Sequence, residues 1–243
     1  TLLASSAASD VYKRQPSSGQ LLEKILDNAV GLCYRYEKLW SHTREGSDIW
    51  RLNHAQGEAV PIDIETAKIL QLSRHYHEET AGLFDVSMAP VAELWNYRKA
   101  QVPKPAEIAR ALEIAKTGHP RIMEDHAQLP TSESKVSLGG IAKGYIADQI
   151  KNYLLKENVK SALINLGGNI LCVGKKQENP FIIGVTNPQQ TSDSLFSLKI
   201  NDLSVVTSGT YQRFFEIDSK RYHHILNPKT GYSYENGLSS VTI

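Results

Sequence analysis

Apolar positions in the first part of the chain recur at helical spacing, and those in the last third come in short runs. Leu22, Ile25, Leu26, Ala29, Cys33 and Tyr36 fall on one side of a 3.6-residue period, which predicts an amphipathic helix over about Gln20 to Leu39. Ile69, Leu72, Tyr76 and Thr80 mark a second helix, ended by Gly82, since glycine tolerates the left-handed backbone of a helix terminus. A third starts at Pro105, whose fixed φ suits a first turn, carries Ile108, Leu112 and Ala115, and stops at Gly118. A fourth follows Gly144, with Ile146, Ile150, Tyr153 and Leu154 on one face.

From Ser161 the period changes. The runs ALINL, ILCVG, FIIGVT, LFSLKI, LSVVTS, RFFEI and YHHIL are separated by Gly167-Gly168, Asn187-Pro188 and Asn201-Asp202, the pattern of strands joined by turns. Helices first and strands later, without βαβ alternation, predict an α+β fold with a largely antiparallel sheet. A length of 243 residues suits one large domain or two small ones, of which one is the expectation here; the chain shows no internal repeat or low-complexity tract.

Both ends depart from this pattern. Thr1 to Gln15 has neither the apolar core of a signal peptide nor a helical or strand period, and reads as a non-native leader. Ser239 to Ile243 reads as a strand cut short. The expectation is a domain over 16–243 that is truncated at both ends and carries no legible targeting signal.

Composition removes several function classes. Lys plus Arg total 27 against 26 for Asp plus Glu, so no long-range field draws the chain to nucleic acid or anionic lipid. No run approaches the roughly 18–20 apolar residues of a membrane span. Cys33 and Cys172 lack the spacing of a zinc site or a redox pair, and are either buried thiols or one disulfide.

Candidate chemistry sits in the loops. Ser137-Leu138-Gly139-Gly140-Ile141-Ala142-Lys143-Gly144-Tyr145 is a glycine-rich turn between an apparent strand and the fourth helix. Bare glycine backbone admits a bulky ligand, and the N–H groups of a helix start favour an anion such as pyrophosphate. The spacing is neither that of a Walker A loop nor that of a dinucleotide fingerprint. The glycines alone suit equally a tight strand-to-helix turn with no ligand; Lys143 shifts the balance, since a cation opposing the helix macrodipole makes sense if it faces an anion. His223 and His224 end a strand and point to opposite faces, so at most one of them enters a site as a general base or a metal ligand, and the alternative is a plain surface pair beside the Pro228 to Gly231 turn. Asp85, in Ala81 to Pro90, suits a ribose or adenine amine, or a plain turn cap. Thr207 to Tyr211 suits a polar pocket or a turn, and Asn165 to Asn169 a strand, turn and strand.

Taken in order, these segments resemble the ApbE family of FAD:protein FMN transferases. The motifs that carry the resemblance are Ser47 to Asn53, Gly82 to Ser87, Ser137 to Tyr145, Asn165 to Asn169, Thr207 to Tyr211 and Tyr222 to Tyr232, within a resemblance running from about Leu21 to Ile243. It implies a T-fold-like architecture and an FAD substrate contacted by Thr43, Leu83, Phe84, Asp85, Ser137, Lys143 and Leu226. It implies Mg²⁺ held by the Gly140 carbonyl, with further ligands in a D-A-x-x-T-like segment beyond Ile243. Lys143 would neutralise pyrophosphate charge, and His224, with His223 as the fallback, would take the proton of a Thr or Ser hydroxyl. The acceptor implied is a flavoprotein subunit of a membrane redox complex. The location implied is the periplasm or the inner membrane, as a lipoprotein.

Ser137, Asn169 and Asn227 replace aspartates of the family pattern, which, with the missing ends, predicts weak binding of FAD and Mg²⁺ by this chain. Two other readings use the same loops: an FAD store or carrier without transferase activity, and a Mg²⁺-dependent FAD pyrophosphatase with water as the acceptor.

Overall fold

The computed structural model describes residues 19–243, so the leader expected at 1–15 lies outside the described residues. The elements are helix α1 (Gly19–Trp40), α2 (Asp48–His54), strand β1 (Val60–Pro61), α3 (Ile64–Glu79), a 3₁₀ turn (Val86–Met88), α4 (Ala89–Leu94), α5 (Pro105–Thr117), β2 (Arg121–Ile122) and β3 (His126–Gln128). They continue with α6 (Ala142–Lys156), β4 (Ser161–Leu166), β5 (Asn169–Gly174), β6 (Phe181–Thr186), β7 (Ser194–Ile200), β8 (Ser204–Gly209), β9 (Phe214–Ile217), β10 (Lys220–His223) and β11 (Ser240–Thr242). Among the described residues every strand pairing is antiparallel, as the α+β reading expects. The contacts gather into two compact units that interleave along the chain.

The first unit holds Glu37–Ala142 and Thr210–Gly237. Its first turns are set by caps and one buried carboxylate. Ser47 accepts from the Trp50 amide at 3.0 Å and so starts α2, and Asp63 accepts from the Glu65 amide at 2.8 Å and starts α3. Asp48 is buried and accepts from Asp63 N (2.8 Å), Thr66 Oγ1 (2.6 Å) and Arg51 (2.6 Å), while Trp40 Nε1 donates to Thr66 Oγ1 at 3.1 Å. One carboxylate thus ties α2 to the start of α3, and Thr66 links that network to the end of α1. Strands β1, β3 and β2 form a small sheet, and β9 pairs with β10.

An aromatic core fills the rest of this unit. Trp95 packs with Val91, Ile108, Leu112 and Phe215, flanked by Tyr97, Tyr222 and Tyr232. Its indole N–H donates to the Gly231 carbonyl at 3.0 Å, as a buried Trp donor requires. Gly231 has φ +72°, and a Cβ there would lie 2.5 Å from Ile108 Cγ2, so both the conformation and the close approach call for glycine.

The second unit holds 19–36, Lys143–Gly209 and Leu238–Ile243. Its largest sheet runs β11-β8-β5-β4. The β4–β5 hairpin closes through Gly167 and Gly168, both at positive φ (61° and 88°), the backbone a tight two-residue turn needs. Strands β6 and β7 form a ribbon whose register shifts at Val185/Thr186, and Cys172, Phe181, Ile183, Ile200 and Val205 make one core cluster. Helix α1 buries Ile25, Ala29, Cys33 and Tyr36, and α6 buries Ile146, Ala147, Ile150 and Leu154, the faces that periodicity assigns them. Cys33 and Cys172 are both buried free thiols, which resolves the disulfide alternative. Burial pushes the Cys172 thiol up to about 11.

Four local expectations change. No strand leads directly into the glycine loop: residues 134–138 have no regular secondary structure. Helix α6 begins at Ala142, two residues before Gly144. Strand β10 ends at His223, so Ile225 and Leu226 of the predicted run lie beyond it. Helices α2 and α4 are additional, too short for a period to reveal.

Candidate functional site

Two of the motifs meet in the first unit. After α3 the chain turns through Gly82 (φ +80°), and the Thr80 hydroxyl accepts from the Phe84 amide at 3.0 Å. Asp85 then caps the 3₁₀ turn, one oxygen accepting from Ser87 N at 2.8 Å. The turn-cap reading of Asp85 is therefore realised, and its other oxygen faces His77 Nδ1. Its side chain is 9% exposed and lies 3.7 Å from His77 Nδ1 and 3.8 Å from His119 Nδ1. Leu83 is exposed.

The glycine loop is anchored on this turn by its leading residues. The buried amide of Asn53 donates to the Val136 carbonyl (2.9 Å) and accepts from the Val136 N–H (2.8 Å), which satisfies both backbone groups as a neighbouring strand would. Ser137 N donates to the Val86 carbonyl at 2.9 Å. Leu138 is fully buried, and its carbonyl accepts from Ile141 N and Ala142 N. Gly139 and Gly140 are left exposed between these anchors. A Cβ on Gly140 would sit 3.0 Å from the Phe84 ring, so the bare backbone is what lets Phe84 lie against the loop. Asn53 was not singled out by the sequence reading. Its place in the Ser47 to Asn53 motif was the available signal.

The histidine segment also belongs to the first unit. His223 is buried, its amide donates to Ser233 Oγ (2.7 Å) and its Nδ1 has no hydrogen-bond partner among the described residues. Burial holds its imidazole below the usual histidine range. His224 is exposed on the opposite side, as alternation along an extended strand predicts. Leu226 is half-buried against the Trp95 cluster. Asn227 opens the next turn: its side-chain oxygen accepts from Lys229 N (2.9 Å) and its carbonyl from Gly231 N (2.7 Å). An amide oxygen serves that turn as well as a carboxylate would. Thr43 is exposed in the loop after α1, its hydroxyl 3.2 Å from that of Ser41.

Lys143 lies in the second unit, in the first turn of α6. Its ammonium donates to the Gly167 carbonyl at 3.3 Å, so a carbonyl dipole already relieves part of the conflict with the helix macrodipole. Asn169, 8% exposed, brings its amide to 3.8 Å from where a Gly144 Cβ would lie. The N-L-G-G-N turn and the start of α6 are thus neighbours. In the same unit Thr207, on β8, pairs its hydroxyl with that of Thr242 at 2.9 Å.

The comparisons agree with this architecture. The chain is 36% identical over 227 residues to the FAD:protein FMN transferase of Klebsiella pneumoniae (strain 342), covering 91% of this chain and 70% of that protein. It is 31% identical over 253 residues to the FAD:protein FMN transferase of Treponema pallidum (strain Nichols), covering 96% and 69%. The crystal structure of the ApbE protein from Thermotoga maritima superposes with a TM-score of 0.84 at 30% identity, over 96% of this chain and 75% of that one. The model of the ApbE family matches residues 6–243. On the motifs, the fold and these similarities together, the chain belongs to the ApbE family.

Proposed function

We propose that this protein moves the FMN half of FAD onto a threonine or serine hydroxyl of an acceptor protein, with AMP as the leaving group. The observation that carries the reading is the exposed Gly139-Gly140 backbone seated on Phe84 beside Asp85, in a chain whose relatives are named for this reaction. Bare backbone leaves room for a pyrophosphate and its bulky ends, and Lys143 is the cation that the family resemblance assigns to that group.

The reaction is a phosphoryl transfer. The acceptor oxygen bonds to the FMN phosphorus, the bond to the AMP phosphate breaks, and AMP leaves with the bridging oxygen. His224 is the base that takes the hydroxyl proton: it is exposed, whereas His223 is buried. The backbone carbonyl of the exposed Gly140 fits the oxygen-donor preference of Mg²⁺, and Mg²⁺ would supply neutralisation of charge on the phosphates. The partner proposed is a flavoprotein subunit of a membrane redox complex. The location proposed is the periplasm or the inner membrane, as a lipoprotein. Among the described residues no helix is long and apolar enough to cross a membrane.

The test is to incubate the full-length protein with FAD, Mg²⁺ and an acceptor bearing a D-G-A-T-like motif. Flavin fluorescence that stays with the denatured acceptor supports the proposal. FMN and AMP without labelled acceptor would point to hydrolysis, and unchanged FAD to storage.

A further inference from the structure

We infer that His77, Asp85 and His119 form a binding site for a divalent transition-metal ion of the Zn²⁺ type, chemically distinct from a Mg²⁺ site. All three belong to the first unit and come from different elements: the last turn of α3, the cap of the 3₁₀ turn and the loop after α5. One donor atom from each lies within 4.8 Å of the other two. The Asp85 carboxylate stands 3.7 Å from His77 Nδ1 and 3.8 Å from His119 Nδ1, and the two rings meet edge to face with centroids 4.6 Å apart.

Tetrahedral zinc with bonds of about 2.0–2.1 Å wants its donors about 3.3 Å apart. The two contacts use different carboxylate oxygens, Oδ2 toward His77 and Oδ1 toward His119, so ligation through one oxygen closes donor pairs that now lie within 4.8 Å of one another. The exposed His119 ring can make up the remainder by rotating about its side chain.

The surroundings suit an ion. Asp85 is oriented by the Ser87 N–H, which donates to its Oδ1, while Ser87 Oγ lies 3.3 Å from His119 Nδ1, a contact that ligation through Nδ1 would replace. His77 Nδ1 lies 3.1 Å from the Phe84 carbonyl. Loading exchanges that long hydrogen bond for a metal bond and leaves the ring proton on Nε2. A pocket of about 220 Å³, walled by Leu70, Val86 and Ile122, opens beside the three donors and gives water access to a fourth position. Two imidazoles and one carboxylate select zinc, cobalt, nickel or copper over Mg²⁺, which prefers an all-oxygen shell. Loaded, the ion pins the end of α3 and the loop after α5 to the turn that carries Phe84.

The experiment titrates metal-free, untagged protein with Co²⁺ as an optical probe and with Zn²⁺ by calorimetry, no FAD being present, so its outcome is independent of the transferase reading. The expected result is one equivalent of Co²⁺ with ligand-field absorption typical of a low-coordinate site, displaced by one equivalent of Zn²⁺ and unmoved by excess Mg²⁺. His119→Ala removes an exposed side chain, so it folds, and it should weaken binding at least about tenfold. His126→Ala, a half-buried histidine outside the cluster, should leave binding unchanged. Absence of saturable Co²⁺ binding overturns the proposal, as does binding that survives both His119→Ala and His77→Ala or that is lost in His126→Ala. Should near-UV circular dichroism show His77→Ala to be unfolded, His119→Ala alone decides.

Discussion

His223 and His224 are adjacent in the chain and opposite in environment, and their substitutions should separate cleanly. His224→Ala leaves the core untouched, so the melting temperature should hold while FMN transfer falls by about 10²–10⁴-fold, the usual worth of a general base. His223→Ala opens a cavity, and urea titration should show a loss of about 1–3 kcal/mol. The pH dependence follows from the same burial. Because His223 is held below its ordinary value of 6.5, both states are neutral above that pH and the residue adds no slope. As pH falls below 6.5 the unfolded chain takes up a proton that the native state resists, so stability declines until the folded imidazole also titrates. His223→Gln should flatten that acid-side slope in urea titrations run across the range. Asn53 acts at the same scale. Asn53→Leu leaves the Val136 N–H and C=O unpaired in a buried setting, with an expected loss of about 1–3 kcal/mol. It should also weaken FAD binding, because Val136 leads into the glycine loop.

Elements in the first unit are fastened by polar groups that no periodicity reveals. Asp48→Ala leaves Arg51, Thr66 and the Asp63 amide without their shared acceptor, and thermal unfolding should report a loss of about 3 kcal/mol. Gly231→Ala forces a side chain onto both an unfavourable φ and Ile108. It should cost about 2 kcal/mol or more in urea titrations, whereas Gly237→Ala, where a Cβ meets nothing within 4 Å, pays only for its positive φ. The long helices were legible because α1, α3, α5 and α6 each run for 13 residues or more, enough turns for a 3.6 period to stand out. Helix α2 has 7 residues and α4 has 6. Their ends are set by a Ser47 cap and a Pro at the first turn rather than by an apolar stripe.

At the scale of the whole molecule, the strand runs after Ser161 were legible one by one, and the β4–β5 hairpin followed from Gly167-Gly168. Sheet order was not. The neighbours β11-β8-β5-β4 join residues far apart in sequence, and local alternation carries no information about such pairings. The interleaving of two compact units was hidden for the same reason. Of the candidate site, the glycine loop, the Leu83-Phe84-Asp85 turn and the histidine pair were legible as motifs. The Asn53 clamp and the grouping of His77 and His119 around Asp85 were not, since their partners lie up to 83 residues away.

The central claim is that this site transfers FMN to a protein hydroxyl. The measurement that tests it most directly is the intact mass of an acceptor after incubation with the protein, FAD and Mg²⁺. The account predicts a gain equal to one FMN less water, formed together with one AMP and slowed by the same factor of about 10²–10⁴ with His224→Ala. An acceptor of unchanged mass, alongside FAD consumed to FMN and AMP or not consumed at all, would contradict it.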